Sequence, residues 1–424
     1  MASKSASSAK AKRESAFLFI LFVVVIGVIT AGLYSVTKSK ATAAPVASVS
    51  DVSSQEVIIP VDVSMSDTDI IVGVGITHVI EAIGGKSISW NSSNEKVATV
   101  LSDGSVKGIG VGSCDITAEN EFGRTAQCHV TVKKTVYLTI DDCPMGYTDE
   151  ILKILKKHDV KATFFVMNTY NMKKLKDMYE QGHVIGLHTY SHNFKTCYRS
   201  QYSYFADLEK LSDIVEGYIG IRPKIFRFPG GTGNHVGGKL NMRRMVNGAE
   251  DLGYRGFDWT SASGDATRPR PDAKKAAENT LKTCKRDSDI LLMHDKPCTP
   301  GCLEIVIPAL KKQGYVFETL DHYPENSRLS KTWYERTVSE KEIPCESLKV
   351  DKESAEVKKG KTVKLKATMT PGKSTDYVRF VSDDPAVATV TLEGKIKGVA
   401  EGETAIRAIA SSGQEAVCKV TVIK

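Results

Sequence analysis

Beyond its first few residues the sequence has no block of Lys and Arg, and its net charge is a modest +7. Both features count against a nucleic-acid partner and leave only a weak attraction to anionic polymers. The rest of the composition excludes little: 41% hydrophobic and 25% charged residues are ordinary for globular domains. At 424 residues the chain exceeds one core, so two to four domains are expected. Its nine cysteines are an odd number, which in an exported chain leaves at least one without an intramolecular partner. Cys114 and Cys128 flank "NEFG" almost symmetrically. That spacing predicts a hairpin with the two thiols opposite each other, where a disulfide is expected if the register holds.

Charge is also missing from Ala16 to Tyr34, "AFLFILFVVVIGVITAGLY". As a helix this run is about 28 Å long, close to the hydrocarbon thickness of a bilayer. Lys4, Lys10, Lys12 and Arg13 precede it, and Lys38 and Lys40 follow. The positive-inside rule then predicts a basic cytoplasmic tail over 1–15, a transmembrane anchor over 16–35 and everything later outside. An Ala/Ser/Val-rich linker follows over 36–54. A cleaved signal peptide is the alternative, because "ATA" at 41–43 resembles a cleavage site. The anchor is preferred, since charged residues separate that site from an apolar run longer than a usual signal core.

Two parts of the chain repeat each other. "NSSNEKVATVLSDGSVKGIGVGSCDITA" (91–118) matches "VSDDPAVATVTLEGKIKGVAEGETAIRA" (381–408) without a gap, and Gly104, Gly108, Gly112 and Gly123 recur as Gly394, Gly398, Gly402 and Gly413. Short alternating strands between glycine turns predict a small all-β sandwich in each copy, over 55–133 and 345–424. Neither copy gathers His or carboxylates, so neither is expected to carry chemistry.

Residues 134–322 have another rhythm. Apolar strand-like runs occur at 136–140, 161–166, 183–187, 224–228, 254–259, 289–293 and 315–319, with amphipathic helical stretches such as "DEILKILKKH" between most of them. Seven strands alternating with helices predict a parallel sheet closed as a (β/α) barrel, with a doubly wound open sheet as the other architecture. A linker over 323–344 then leads to the second sandwich.

In such folds functional groups collect where strands end. Asp141 and Asp142 end the first predicted strand, His188 the third, Arg227 the fourth, Asp258 and Trp259 the fifth, and His294 and Asp295 the sixth, with Asp265 shortly after the fifth. "HTYSH" spaces His188 and His192 to share a face if the segment is a helical turn, and an oxygen ligand beside them completes a three-ligand metal set. Two adjacent carboxylates need different tasks: one to bind the metal, the other to act as a base oriented by the Arg227 guanidinium. His294 is then available as a general acid.

"TIDDCP", "HTYSH", "RFPGG", "DWTSASGD" and "LLMHD" together resemble, in order and spacing, the five motifs of the NodB-type polysaccharide deacetylases, carbohydrate esterase family 4. The terminal pattern "VATV…G.VKG…G" resembles the bacterial Ig-like group 2 domain. The resemblance implies a multidomain chain: a distorted (β/α)7 barrel flanked by two Ig-like sandwiches, behind an N-terminal transmembrane helix. It implies metal-dependent removal of N-acetyl groups from a β-1,4-linked glycan. It further implies Asp141 as base, Asp142, His188 and His192 as metal ligands, and Arg227 as the residue orienting Asp141. His294 would be the acid, Asp265 would tune it, and Leu292 would line the acetyl pocket. Pro229, Gly230 and Trp259 are expected against the substrate, with a backbone N–H near Gly230 facing the oxyanion. Zn2+ is the expected ion, with Co2+ or Mn2+ as alternatives.

The chain departs from the family pattern at Cys143, where Gly is usual, and at Ala266, where an aromatic is common. Cys143 reads as a passive small residue, an extra metal ligand or a disulfide partner of Cys298 or Cys302. Ala266 widens the groove or moves its wall to Trp259. The expected substrate is cell-wall glycan, peptidoglycan first, with chitin-type polymers or xylan as alternatives. Contacts to wall or surface polymers are expected of the Ig-like copies. A surface adhesin with a weak glycan-binding barrel is the competing class.

Overall fold

The computed structural model describes residues 61–234, 236–324 and 342–424. The tail, anchor and linker expected over 1–54 lie outside the described residues, as do His235 and most of the 323–344 linker. Among the described residues no helix is long and apolar enough to cross a membrane.

The central strand, β1 (Thr125–Cys143), is 19 residues long and serves two domains. Its first half pairs antiparallel with Gly112–Asn120 and parallel with Asp69–Gly73 in the first sandwich. Its second half enters a parallel sheet with β2 (Thr163–Val166), β3 (Val184–Leu187), β4 (Ile225–Phe226), β5 (Arg255–Gly256), β6 (Ser261–Ala262), β7 (Ser288–His294) and β8 (Tyr315–Glu318). The expected junction at 133/134 therefore falls inside an unbroken strand.

The hydrogen-bonded order is β5-β4-β3-β2-β1-β7-β6, with β8 beside Lys134–Tyr137 in the middle of β1. Taken in a circle this is sequential, 1 to 5, then 6, 7 and back to 1, as in a barrel rather than a doubly wound sheet. The gap lies between β5 and β6. Only residues 257–260 join these two strands, and a link that short spans at most about 18 Å, so the sheet must curl round. Eight strands appear where seven were expected because the fifth run pairs only at Arg255–Gly256 and a further short strand, Ser261–Ala262, follows it. The carbonyls of Phe257 and Asp258 turn from the ladder to accept from Arg227 Nε and Nη2, at 2.9 and 3.1 Å.

Helices α1 (Thr148–Lys157), α2 (Lys174–Glu180), α3 (Phe194–Cys197), α4 (Gln201–Ile219), α5 (Lys239–Asp251), α6 (Ala273–Thr283) and α7 (Thr299–Lys312) surround the sheet. Strand alternation separates the two faces. Val136, Leu138, Ile140, Phe164, Val166, Leu291 and Met293 face outward into one core with helix residues such as Ile151, Leu155, Leu208 and Val306. Tyr137, Phe165 and Ile290 belong to a second, inner cluster with Phe257, Leu320 and Tyr323.

The two Ig-like copies meet the barrel differently. The second docks on it through a segment that the first lacks: Gly75 matches Gly360 and Trp90 matches Phe380, so the second copy holds five more residues between these points. Within that longer segment Arg244 donates to the Ser374 and Gly372 carbonyls, at 2.9 and 3.0 Å, and Asn247 to that of Thr375 at 2.9 Å. Tyr377 packs on Phe205, with ring centroids 5.3 Å apart. A Cβ at Gly248 would lie 2.7 Å from the Tyr377 ring, so α5 can accept the ring only over a glycine. Tyr202 also packs against Tyr377, while Tyr198 and Tyr204 are buried and stacked, in keeping with helix packing.

The disulfide expected between Cys114 and Cys128 does not form. In the hairpin Cys114 pairs with Val130 and Cys128 with Ile116, because the turn is centred one residue beyond the midpoint between the two cysteines. All nine cysteines are free and buried.

Candidate active site

The rim grows out of β1. Asp141 pairs in register with His294 of β7, and Thr139 with Leu292, so base and acid candidates are neighbours across one ladder. Adjacent residues on a regular strand face opposite sides, which would send Asp142 away from Asp141. A bulge prevents this. Phe165 pairs with Asp141 and Val166 with Cys143, leaving Asp142 out of register with φ at 63°. Both carboxylates thus serve one site, and Cys143 returns to the outer core. Its thiol donates to the Ile140 carbonyl at 3.3 Å, and burial pushes its pKa well above the usual thiol value. Cys143 is therefore neither a metal ligand nor a disulfide partner of Cys298 or Cys302.

Arg227 separates the rim from the apolar floor. Fully buried, it donates from Nη1 to Asp141 Oδ1 at 2.7 Å and to Thr139 Oγ1 at 2.8 Å, and lies 4.2 Å over the Phe165 ring. With four acceptors its guanidinium has no freedom to turn, and neither has the carboxylate it grips.

His188 and His192 do not share a helical turn, as their spacing suggested. The segment is a loop with left-handed residues at Thr189 and His192, φ 69° and 48°. Even so, the two rings converge. His188 Nδ1 donates to the Arg227 carbonyl at 2.9 Å, which fixes the tautomer and leaves the Nε2 lone pair free. That nitrogen is 3.6 Å from Asp141 Oδ2 and 3.9 Å from Asp142 Oδ1, while His192 Nε2 is 3.4 Å from Asp142 Oδ1. Ligand atoms of Asp142, His188 and His192 all lie within 4.8 Å of one another.

The donor set fits a divalent metal. Asp142 Oδ1 is buried without a protein hydrogen bond, an expensive state unless something else claims the oxygen. Burial opposes the Asp142 charge, but His188, His294, Lys296 and His192 outweigh it and bring the carboxyl down to about 2. Burial lowers the His188 pKa against the pull of Asp141, so the imidazole stays neutral, as a ligand must.

On the other flank, Asp265 accepts from the His294 backbone N–H at 2.7 Å, from Nδ1 at 2.8 Å and from Thr299 Oγ1 at 3.0 Å. Burial alone would lower the His294 pKa. The Asp265 hydrogen bond and the nearby carboxylates outweigh it and raise the value above that of an ordinary histidine.

The expected substrate residues sit around this centre. Leu292 occupies the inner row between Ile290 and His294. Pro229 is buried, its carbonyl held by Tyr198 Oη at 2.8 Å, whereas Gly230 is exposed. Trp259 is half-buried, and a Cβ at Gly231 (φ 71°) would come within 3.0 Å of its ring and of Asp258. Asp258 turns its carboxylate to the Thr232 amide at 3.0 Å and holds the glycine loop; burial raises its pKa to about 6.

Two further residues take part: Asp295, which the sequence placed at the strand end without a role, and Lys296, which the sequence reading did not single out. Asp295 accepts from the Met145 and Tyr147 amides, both at 2.8 Å, and ties down the loop after Asp142. Lys296 donates to Asp142 Oδ2 at 3.0 Å. The only sequence signal for Lys296 was its place two residues after His294, which is no signal for a lysine in general.

A family model described as polysaccharide deacetylase matches residues 129–257, and one described as bacterial Ig-like domain (group 2) matches 46–130 and 344–420. A peptidoglycan-N-acetylglucosamine deacetylase of Bacillus cereus is 33% identical over 220 residues, 49% of this chain and 78% of that protein. The peptidoglycan-N-acetylglucosamine deacetylase PgdA of Listeria monocytogenes is 32% identical over 214 residues, 49% of this chain and 42% of its own. Among solved structures, the catalytic domain of a Eubacterium rectale peptidoglycan N-acetylglucosamine deacetylase is 33% identical over 44% of this chain and 89% of that one, with a TM-score of 0.43. With that share of the Bacillus cereus relative covered, the chain belongs to the polysaccharide deacetylase family and carries bacterial Ig-like sequence on both sides of the deacetylase part.

Proposed function

We propose that the protein is a membrane-anchored, extracytoplasmic, metal-dependent deacetylase that removes N-acetyl groups from cell-wall glycan, with peptidoglycan N-acetylglucosamine as the first candidate substrate. One observation carries this reading: the Asp142–His188–His192 cradle lies between a carboxylate clamped by arginine and a histidine clamped by aspartate. The relatives' names support peptidoglycan; chitin-type polymers and xylan would suit the same chemistry.

Asp142, His188 and His192 would hold the ion, Zn2+ before Co2+ or Mn2+. When bound, such an ion supplies Lewis acidity, making water acidic near neutral pH and polarising the acetyl carbonyl. Asp141, held by Arg227, takes the proton from the hydrolytic water. His294, held by Asp265, gives a proton to the amine, which leaves poorly without one. Leu292 and Trp259 wall the acetyl group, and a backbone N–H near Gly230 faces the developing oxyanion. Residues 16–35 would anchor the chain, and the Ig-like parts at 55–133 and 345–424 would place the barrel, 134–322, within reach of the wall.

The two Ig-like copies favour a second reading, a surface glycan binder with a weak barrel. A binder needs neither base nor acid, so the clamped Asp141 and His294 weigh against it. Acetate release from N-acetylated glycans separates the two readings. We expect release that a chelator abolishes and a divalent ion restores; binding with no release under any ion would sink the enzyme.

A further inference from the structure

The two oxygens of Asp142 have unlike surroundings. Oδ1 is buried, has no protein hydrogen bond and faces both imidazole Nε2 atoms. Oδ2 accepts from Lys296. Lys296 is not a loose surface lysine: its side chain is only 20% exposed, and that of Asp142 16%. Its backbone is fixed on both sides, by the bonds of Asp295 to the Met145 and Tyr147 amides and by the start of α7 at Thr299. The carboxylate it meets has little freedom either, since it projects from the bulge.

A free carboxylate can give a metal one oxygen or two. An ammonium already bonded to one oxygen, in a partly dry place, leaves the ion the other. A cation beside the cradle also repels a second cation, so the ion is held less tightly than the ligands alone would hold it. A largely buried ion pair adds no more to folding stability than apolar residues of similar size would, so stability is a poor reason for a lysine here.

We propose that Lys296 is a positioning residue for the deacetylase: it engages Asp142 Oδ2 so that the carboxylate presents a single oxygen, Oδ1, to the ion. The inference rests on the metal-dependent reading above. It explains why Oδ1 alone is left without a partner and why the pair is largely buried rather than on open surface. Without Lys296, Asp142 gains an oxygen to offer and the cradle loses a repelling charge, so the ion is bound more tightly but in a poorer arrangement for reaction.

The test uses the full chain, stripped of metal and titrated with Co2+ and with Zn2+. For Lys296→Met we expect metal affinity to rise about tenfold or more. The visible absorption of the Co2+ form should fall in intensity, as it does when cobalt gains ligands, and turnover on N-acetylated glycan should drop about tenfold. Lys296→Arg, which keeps a charged donor, should restore the wild-type spectrum and most of the turnover. Lys296→Gln carries the same expectation for affinity as Lys296→Met and serves if the Met variant does not fold. Unchanged affinity and spectrum in the neutral variants would overturn the proposal, and so would weaker metal binding, the mark of a merely structural contact. If the wild-type chain binds Co2+ but releases no acetate, the functional reading fails, while affinity and spectrum still decide the role of Lys296.

Discussion

The floor and the rim of the barrel are built by the same strands, yet each contains a buried oxygen with no protein hydrogen bond, and the two oxygens mean different things. At the floor, Tyr137 Oη is enclosed with the Tyr323 ring, its centroid 4.8 Å away, and with Phe165, Phe257 and Ile290. Among the described residues no group of three metal-ligating side chains converges there. At the rim, Asp142 Oδ1 faces two imidazole nitrogens across less than 4 Å. An orphaned polar atom therefore points to a ligand only where other donors converge on the same space. Between the two levels lies Arg227, fully buried and shared, with Asp141 above it and the Phe165 ring beneath.

If that division is real, substitutions at the two levels should fail in different assays. The largest effect belongs to the rim. Asp141→Asn or His294→Ala should lower turnover on N-acetylated glycan by about 100- to 10,000-fold, the usual worth of a positioned base or acid. His294→Ala should melt close to the parent, and Asp141→Asn should stay folded at the assay temperature with some loss of stability, because the buried Arg227 loses its counter-charge. Asn is the cleaner choice at 141 because, although it too removes the charge partner of Arg227, its side-chain oxygen can still accept from the guanidinium, whereas Ala removes the acceptor as well. Near-normal acetate release by either variant would remove that residue from its role.

At the floor the sign is reversed. Ile290→Ala should cost about 2–5 kcal/mol of stability, because the residue is fully buried and its neighbours cannot close the space. Below its melting range the variant should turn over within a few-fold of the parent. Denaturant unfolding and acetate release on one preparation decide this; a rate loss as deep as that of Asp141→Asn would show that floor and rim are not separable. A smaller effect is expected four residues before Asp141, in the same inner row of β1. Tyr137→Phe removes a hydroxyl that was buried without a partner, so it should leave stability unchanged or raise it by about 1 kcal/mol. A clear loss in thermal melting would mean that the hydroxyl has a partner after all.

What was legible in the sequence, and what was not, follows the range of the forces involved. Apolar runs ending in charge located Asp141, His188, Arg227 and His294 at strand ends, because burial of strand faces is written in local composition. Cyclic strand order also follows from alternation of strands and helices. The bulge at Asp142 is a different matter. It depends on how β1 registers with β2, and no local pattern announces it, although it alone turns "DD" into two residues of one site. Whether "HTYSH" forms a helical turn was undecided in the sequence for a similar reason: the hydrogen bond that fixes His188 is made to the carbonyl of Arg227, 39 residues on. The early end of the fifth strand has the same origin, since Arg227 draws the Phe257 and Asp258 carbonyls inward. Cys114 and Cys128 missed each other by hairpin register, which a near-symmetric spacing cannot fix to one residue. The docking of Tyr377 over Gly248 joins segments that have no reason to be compared before the fold is known.

The smallest expected effect is a displacement along the pH axis. His294 titrates at the rim with its pKa raised: burial pulls it down, but the Asp265 hydrogen bond and the charges of Asp141, Asp265 and Asp142 pull it up further. A folded pKa above the unfolded one means that protonated His294 stabilises the fold. That contribution is complete below the unfolded value near 6.5 and disappears as pH rises through the higher folded value. The same proton is the one proposed for the leaving amine, so the alkaline limb of kcat/KM should follow the folded pKa. Asp265→Asn removes the charge and weakens the bond to Nδ1 while burial remains, so the limb should move to lower pH. The Asp142 contribution, and any ion that offsets it, is common to parent and variant and drops out of the difference. Stability measured across the same range should become flatter in the variant. No floor substitution should shift the limb at all, because Ile290 and Tyr137 carry no charge that reaches His294. A limb that stays in place in Asp265→Asn, or moves alkaline, would mean that some other group supplies the proton, and the clamp of Asp265 on His294 would then be a hinge pin for the β7 rim rather than a control on acidity.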